Sequence, residues 1–154
     1  MTEKKSVVIG CDEAAWELKN TLKAHIKSLG YEVEDVGSEE GVSVLYPDIA
    51  LAVAEAIRSG RHERGVLLCG TGIGMAMTAN KVPGIRAAQA HDTFSAERAR
   101  KSNNAQIVTL GARVIGPELA KMIVRAFLES EFEGARSLPK VERMAEIERA
   151  MRQA

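Results

Sequence analysis

The stretch "RGVLLCGTGIGMAMTANKVPG", residues 64 to 84, decides the fold: an apolar run ends in Cys69, and three glycines then alternate with Thr71 and Ile73. The segment "GVLLC" (65 to 69) reads as a strand buried on both faces, as in a parallel sheet. Glycines 70, 72 and 74 let the backbone turn tightly at the start of a helix that carries Met75 to Lys81. Several N–H groups then converge on one point, a nest that suits an anion or an oxygen that becomes negative during reaction.

The same alternation of strand and helix extends in both directions. "SVVIG" (6 to 10) precedes Leu18, Leu22, Ile26 and Leu29, a helical stripe that ends at Gly30. "YEVEDVG" (31 to 37) alternates as an edge strand does, 38 to 46 reads as a loop, and "PDIALAVAEAIRSG" (47 to 60) opens with Pro and stops at Gly. "GIRAAQAH" (84 to 91) predicts a fourth strand, 93 to 102 a helix, "QIVTLG" (106 to 111) a fifth strand, and "PELAKMIVRAFLES" (117 to 130) another helix. Right-handed crossovers turn this order into three layers: an α/β, doubly wound, five-stranded parallel sheet with helices on both faces. Beyond Phe132 the segment "EGARSLPK" breaks the pattern. A charged helix follows in "VERMAEIERAMRQA" (141 to 154), its stripe of Met144, Ile147 and Met151 fitting either the chain's own core or a second subunit.

At 154 residues the chain is long enough for one domain, 1 to 154, with its own core. Its 21 basic and 21 acidic residues cancel, which leaves no global field to attract nucleic acid or an anionic membrane. Cys11 and Cys69 each end an apolar run and read as reduced thiols of a cytoplasmic protein, although neighbouring strand ends would permit a disulfide. The apolar run after "MTEKK" is too short for a signal peptide or a membrane span.

Ligands in open parallel sheets bind beyond the carboxyl ends of the strands. Cys11, Asp12 and Glu13 follow the first strand, Cys69 to Gly74 the third, and His91 and Asp92 the fourth, while Ser102, Asn103, Asn104 and Arg113 flank the fifth. All are expected on one rim. "GTGIG" by itself also fits a plain tight turn or a dinucleotide site, with Asp92 as the acidic partner, but GxGxxG fails because its sixth position is Met75. Cys69 next to the nest reads either as a nucleophile or base, or as a small hydrophobe ending a strand.

Taken together, "CGTGIGMAMTANKVPGIRAA" and "NNAQIVTLGARVIGPELAKMIVRAFLESEFEGAR" resemble the type B ribose-5-phosphate isomerase family, which also holds the galactose-6-phosphate isomerase subunits. The resemblance runs from "VVIGCDEAAWELK" to the last helix. It implies a Rossmann-like or flavodoxin-like fold and aldose-ketose isomerisation of a sugar phosphate through a cis-enediolate, without metal or other cofactor. It also implies a homodimer or homotetramer with shared active sites, the helix at 139 to 152 lying at the subunit interface. Cys69 would be the base at carbon and Thr71 would move a proton between oxygens. The Gly70, Gly72, Ile73 and Gly74 backbone would hold the enediolate oxygen, with Asp12, Tyr46 and Asn103 on the substrate and Arg113, Arg136 and Lys140 on its phosphate.

Some relatives use a glutamate one residue after the last glycine; here that residue is Met75. The family's usual histidine after the first aspartate is Glu13, a carboxylate that would repel phosphate, and the histidine before Asn103, which opens the furanose ring, is Ser102. A tetrose phosphorylated on O4 cannot close that ring and needs no group to open it. Ribose 5-phosphate is the substrate the family implies by default; the lost imidazoles fit the alternative, D-erythrulose 4-phosphate, and "HDTFSAERARKSNNAQI" also resembles the tetrulose-phosphate branch of the family. His91 reads either as a replacement imidazole or as a hydrogen-bonded strand-end residue, and a sugar-phosphate-binding subunit without activity is the non-enzyme reading.

Overall fold

The computed structural model describes residues 5 to 154. Five strands, β1 (Ser6–Cys11), β2 (Glu32–Asp35), β3 (Arg64–Cys69), β4 (Ala87–Gln89) and β5 (Ile107–Gly111), form one parallel sheet in the order β2-β1-β3-β5-β4. Six α-helices accompany it: α1 (Trp16–Ser28), α2 (Tyr46–Arg58), α3 (Ile73–Ala79), α4 (Thr93–Lys101), α5 (Pro117–Leu128) and α6 (Leu138–Gln153). The α/β class and doubly wound layering follow the expectation. Sequence periodicity makes the fourth strand longer than the three residues that pair, because only Ala87 to Gln89 lie alongside Ile107 to Thr109.

The strands divide their side chains by the period of two. Val7, Ile9, Cys11, Val66 and Leu68 enter one core with Leu22 and Ile26 of α1 and Ile123, Val124 and Phe127 of α5. Val8, Leu67 and Cys69 enter the other, against Val53 of α2 and Met75 and Ala79 of α3. Burying each large apolar side chain contributes about 1.5 to 3 kcal/mol, so both faces hold the sheet. Cys11 lies opposite Leu68 across the β1 and β3 ladder, yet the two thiols point to opposite faces and both are free. The open possibility of a disulfide is thereby closed.

α1 carries one exception to its apolar stripe. Lys19 is 2% exposed, and its Nζ donates to Asp35 Oδ1 at 3.1 Å and to the Ser38 carbonyl at 2.6 Å. Asp35 also accepts from Lys23 Nζ at 2.8 Å and from the Gly37 N–H at 2.9 Å. Burial pushes the Asp35 carboxyl up, but Lys23, the Gly37 N–H and Lys19 together outweigh it and hold the group below its ordinary value. The end of β2 and the start of the following loop are thus fastened to α1.

α6 stands apart. Val141 is its one buried residue among those described, and Met144, Ile147 and Met151 face outward. Docking of that stripe on the chain's own core is therefore corrected, because the sheet's two faces are already covered by the other helices.

Replacing Asp35 with Asn leaves the buried Lys19 ammonium short of its counter-charge, and we expect a loss of roughly 2 to 3 kcal/mol in urea unfolding at neutral pH. A carboxyl held low in the folded state stabilises fully above about pH 4 and loses that contribution as the pH falls through its folded value. The Asn variant is therefore expected to show a shallower acid-side decline in melting temperature.

Candidate active site

The loop after β3 is seated directly on the backbone at the end of β5. A Cβ on Gly72, whose φ is +78°, would lie 2.9 Å from the Leu110 carbonyl carbon, and one on Gly111 would lie 2.6 Å from Thr71 Cα. Only bare backbone fits such a contact. Four successive carbonyls are then drawn into the protein. Cys69 accepts from Ala112 N–H at 2.9 Å, Gly70 from Arg113 N–H at 3.0 Å, Thr71 from Gln89 Nε2 at 2.8 Å and Gly72 from Thr109 Oγ1 at 2.8 Å. Peptide planarity sends the matching N–H groups the other way, toward the rim.

The Gly72 N–H meets Cys69 Sγ at 3.0 Å, so the thiol lies inside the turn of the nest. The Ile73 N–H donates to Thr71 Oγ1 at 3.3 Å, which leaves that hydroxyl exposed on the outer side. The Tyr46 ring covers Gly74, where a Cβ would come within 2.4 Å of it. Arg113, placed by its own N–H on Gly70, lays its guanidinium along the same glycine.

Asp12 closes the first strand's side of the rim. Its Oδ1 accepts from the Ala14 N–H at 3.0 Å and caps a single 3₁₀ turn, Glu13–Ala15. Burial raises its carboxyl above the ordinary value, against the lowering pull of that N–H and of Arg113. Glu13 turns away from this group: its carboxylate takes Ser43 Oγ at 3.4 Å and the Val44 N–H at 3.3 Å, bracing the loop that leads into Tyr46. His91 Nε2 accepts the Gly111 N–H at 2.9 Å, the hydrogen-bonded strand-end reading, which puts its ring proton on Nδ1. Asp92 caps α4 through the Ser95 N–H, and Met75 is fully buried.

Convergence of all candidates on one rim needs correction. Ser102, Asn103 and Asn104 precede β5 and lie at the opposite, amino-terminal edge; four residue steps along β5 alone are roughly 13 Å. Arg136 and Lys140 follow that same edge. The Glu133 N–H donates to the Lys101 carbonyl at 3.1 Å, and further along, Glu148 of α6 accepts the Gly84 N–H at 3.1 Å. One chain thus presents Asp12, Tyr46, Cys69 to Gly74, His91 and Arg113 at one edge, and Ser102, Asn103, Arg136 and Lys140 at the other.

Sequence reasoning passed over Gln89 and Thr109, which fix the Thr71 and Gly72 carbonyls, the last two of the four. Thr109 carried a visible signal, a hydroxyl in the otherwise apolar run "QIVTLG". Among the described residues no three His, Cys, Asp or Glu side chains gather as a metal-ligand set, and no helix is long and apolar enough to cross a membrane.

A thiol inside a backbone nest at the carboxyl rim of a parallel sheet defines an α/β protein equipped to hold a small substrate whose oxygen gains negative charge. The ribose/galactose isomerase family model matches residues 7–144. The D-erythrulose-4-phosphate isomerase of Pectobacterium atrosepticum is 58% identical, over 93% of this chain and 95% of its own. The ribose-5-P isomerase B of Listeria innocua is 54% identical, over 95% and 99%. The solved ribose-5-phosphate isomerase B of Clostridium thermocellum superposes with a TM-score of 0.92 at 44% identity, over 95% of this chain and 99% of that one. The chain belongs to the ribose/galactose isomerase family and is an aldose-ketose isomerase of sugar phosphates.

Gly72→Ala forces a left-handed alanine against the Leu110 backbone. We expect a cost of about 2 to 3 kcal/mol, a melting temperature lower by roughly 5 to 10 °C, and isomerase activity at least about tenfold lower in the protein that remains folded.

Proposed function

We propose that this cytoplasmic protein interconverts D-erythrulose 4-phosphate and D-erythrose 4-phosphate, with a site completed by a second copy of the chain. The Cys69 thiolate takes a proton from C1 of the ketose, and the electron pair moves through C1–C2 onto the carbonyl oxygen. The nest N–H groups hold that oxygen as the enediolate forms, Thr71 passes a proton from O1 to O2, and O1 then forms the C1 carbonyl while the C1–C2 double-bond pair takes the proton back from the Cys69 thiol at C2, on the same face. Asp12 and Tyr46 orient the hydroxyls, and Arg113 reaches the phosphate. Oxyanion donors of this kind contribute about 3 to 4 kcal/mol each in acyl-transfer enzymes.

The observation that carries the substrate is the disposition of imidazoles. The chain has three histidines. His62 is held by Ser6 Oγ and Glu34, His25 lies on α1, and His91 spends Nε2 on the β5 backbone. No histidine stands at 13 or 102, where the family's imidazoles are expected, and a tetrose phosphorylated on O4 has no furanose to open. Ribose 5-phosphate is the second reading, favoured by the relatives named for it. A panel of erythrulose 4-phosphate, ribose 5-phosphate, allose 6-phosphate and galactose 6-phosphate decides: we expect kcat/KM for the tetrulose to lead by at least about tenfold. A lead for ribose 5-phosphate would overturn the tetrose assignment.

The division between the two edges supports a shared site. Asn103, Arg136 and Lys140 lie too far from their own chain's nest to touch the same small molecule, and the outward stripe on α6 offers a surface for a second copy. Cys69→Ala is expected to keep binding but to incorporate no deuterium from heavy water at C1 or C2. Co-expressed with Arg136→Ala, it should regain about a quarter of wild-type activity, because half of the mixed dimers' sites are intact. A mixture no more active than its parents would refute sharing.

A further inference from the structure

Arg100 sits in the last turn of α4 with its side chain 3% exposed, and all three of its nitrogens are engaged. Nη1 donates to Asn104 Oδ1 at 3.0 Å and to the Ala105 carbonyl at 2.8 Å, Nε donates to the Ser130 carbonyl at 3.4 Å, and Nη2 stands 3.6 Å from the Glu131 carboxylate. Burial lowers this guanidinium to about 10, which leaves it charged at neutral pH. A buried charge is costly, and an apolar residue of similar volume commonly serves a core as well. What the arginine adds is direction: a rigid planar fork that addresses several acceptors at fixed angles.

Its acceptors belong to two separate segments. One is the turn between α4 and β5, where Asn104 has φ of +50° and Arg86 Nε donates to the Asn104 carbonyl at 2.9 Å from the other side. The other is the exit from α5, tied a second time to the turn by the Glu133 N–H on the Lys101 carbonyl. The first segment presents Ser102 and Asn103. The second leads within a few residues to Arg136.

We propose that Arg100 is a positioning residue for substrate recognition, locking the Ser102–Asn103 turn to the Arg136 segment so that both enter a neighbouring copy's nest at a fixed spacing. The inference rests on the shared-site reading above. Arg100 touches no substrate; its effect is transmitted through Asn104, Ala105 and Ser130. Glu131 also pairs with Arg64, which anchors the α5 exit to β3 and keeps the assembly from shifting as a unit.

The test is the split between KM and kcat in Arg100→Met and Arg100→Lys of the full-length enzyme. Loss of fixed charge-assisted contacts is expected to raise KM for the phosphorylated substrate about tenfold or more while kcat stays within about threefold. Lysine keeps the charge but lacks the fork, so it should not restore KM. Arg100→Met co-expressed with Cys69→Ala should regain about a quarter of wild-type activity measured well below KM, since the lesions fall in different halves. Should Arg100→Met fail to fold, Asn104→Gly keeps the left-handed backbone and removes one acceptor; it is expected to raise KM about threefold. Wild-type KM in the variant that folds would overturn the role, including where only the melting temperature falls. If Cys69→Ala and Arg136→Ala complement while the Arg100 or Asn104 variant keeps wild-type KM, sharing stands and the positioning role is lost. If that pair fails to complement, the shared site itself falls, whatever the Arg100 kinetics.

Discussion

The contact on which the site depends is backbone against backbone. The loop Gly70 to Gly72 rests on Leu110 and Gly111, closer than any side chain at 72 or 111 would allow. This contact lets Ala112 and Arg113 reach the loop's carbonyls with their own N–H groups, while Gln89 and Thr109 take the next two. With the carbonyls occupied inside the protein, the N–H groups of the same peptides are fixed in direction before a substrate arrives, those of Gly72 and Ile73 resting on Cys69 Sγ and Thr71 Oγ1. A polar group fixed in advance stabilises developing charge without reorganising, which is the main source of catalytic electrostatics.

The sheet separates two tasks in space. Its carboxyl rim holds the thiol, the nest and the groups nearest the reacting carbons; its amino edge holds Asn103, Arg136 and Lys140. The buried cations follow the same division. Lys19 and Asp35 secure the loop that runs past Glu13 to Tyr46 at the rim, whereas Arg100 and Glu131 secure the segments at the amino edge. Glu13 also takes on a meaning its charge alone did not suggest. Its carboxylate binds Ser43 and Val44, held below its ordinary value by its own N–H and that of Val44, so it braces the loop over the site.

Much of the architecture was legible because a parallel sheet buried on both faces writes itself as short apolar runs. "SVVIG", "GVLLC" and "QIVTLG" each fall within or overlap a strand, and Pro47 and Pro117 each open the helix expected of them. The nest was legible too, since glycines alternating beside a strand end free the backbone to turn tightly where a helix begins, although the same residues by themselves also fit a plain turn. Less legible was the side on which each polar residue lies. Ser102, Asn103 and Arg113 are close enough in sequence to look like one group, yet β5 runs between them and puts them at opposite edges. His91 could not be assigned from its position, because its partner is a backbone N–H on another strand.

The sequence by itself determined the alternation of strands and helices, the glycine nest and the thiol within it, and enough motif to mark the family. These are local properties, set by periodicity, backbone freedom and residue order. Only the tertiary structure decided that β5 lies between β3 and β4, that the two thiols face opposite layers, that α6 leaves its apolar stripe uncovered, and that Arg100 joins two distant segments. Such features depend on which groups meet when distant segments pack, and periodicity along the chain does not encode those pairings.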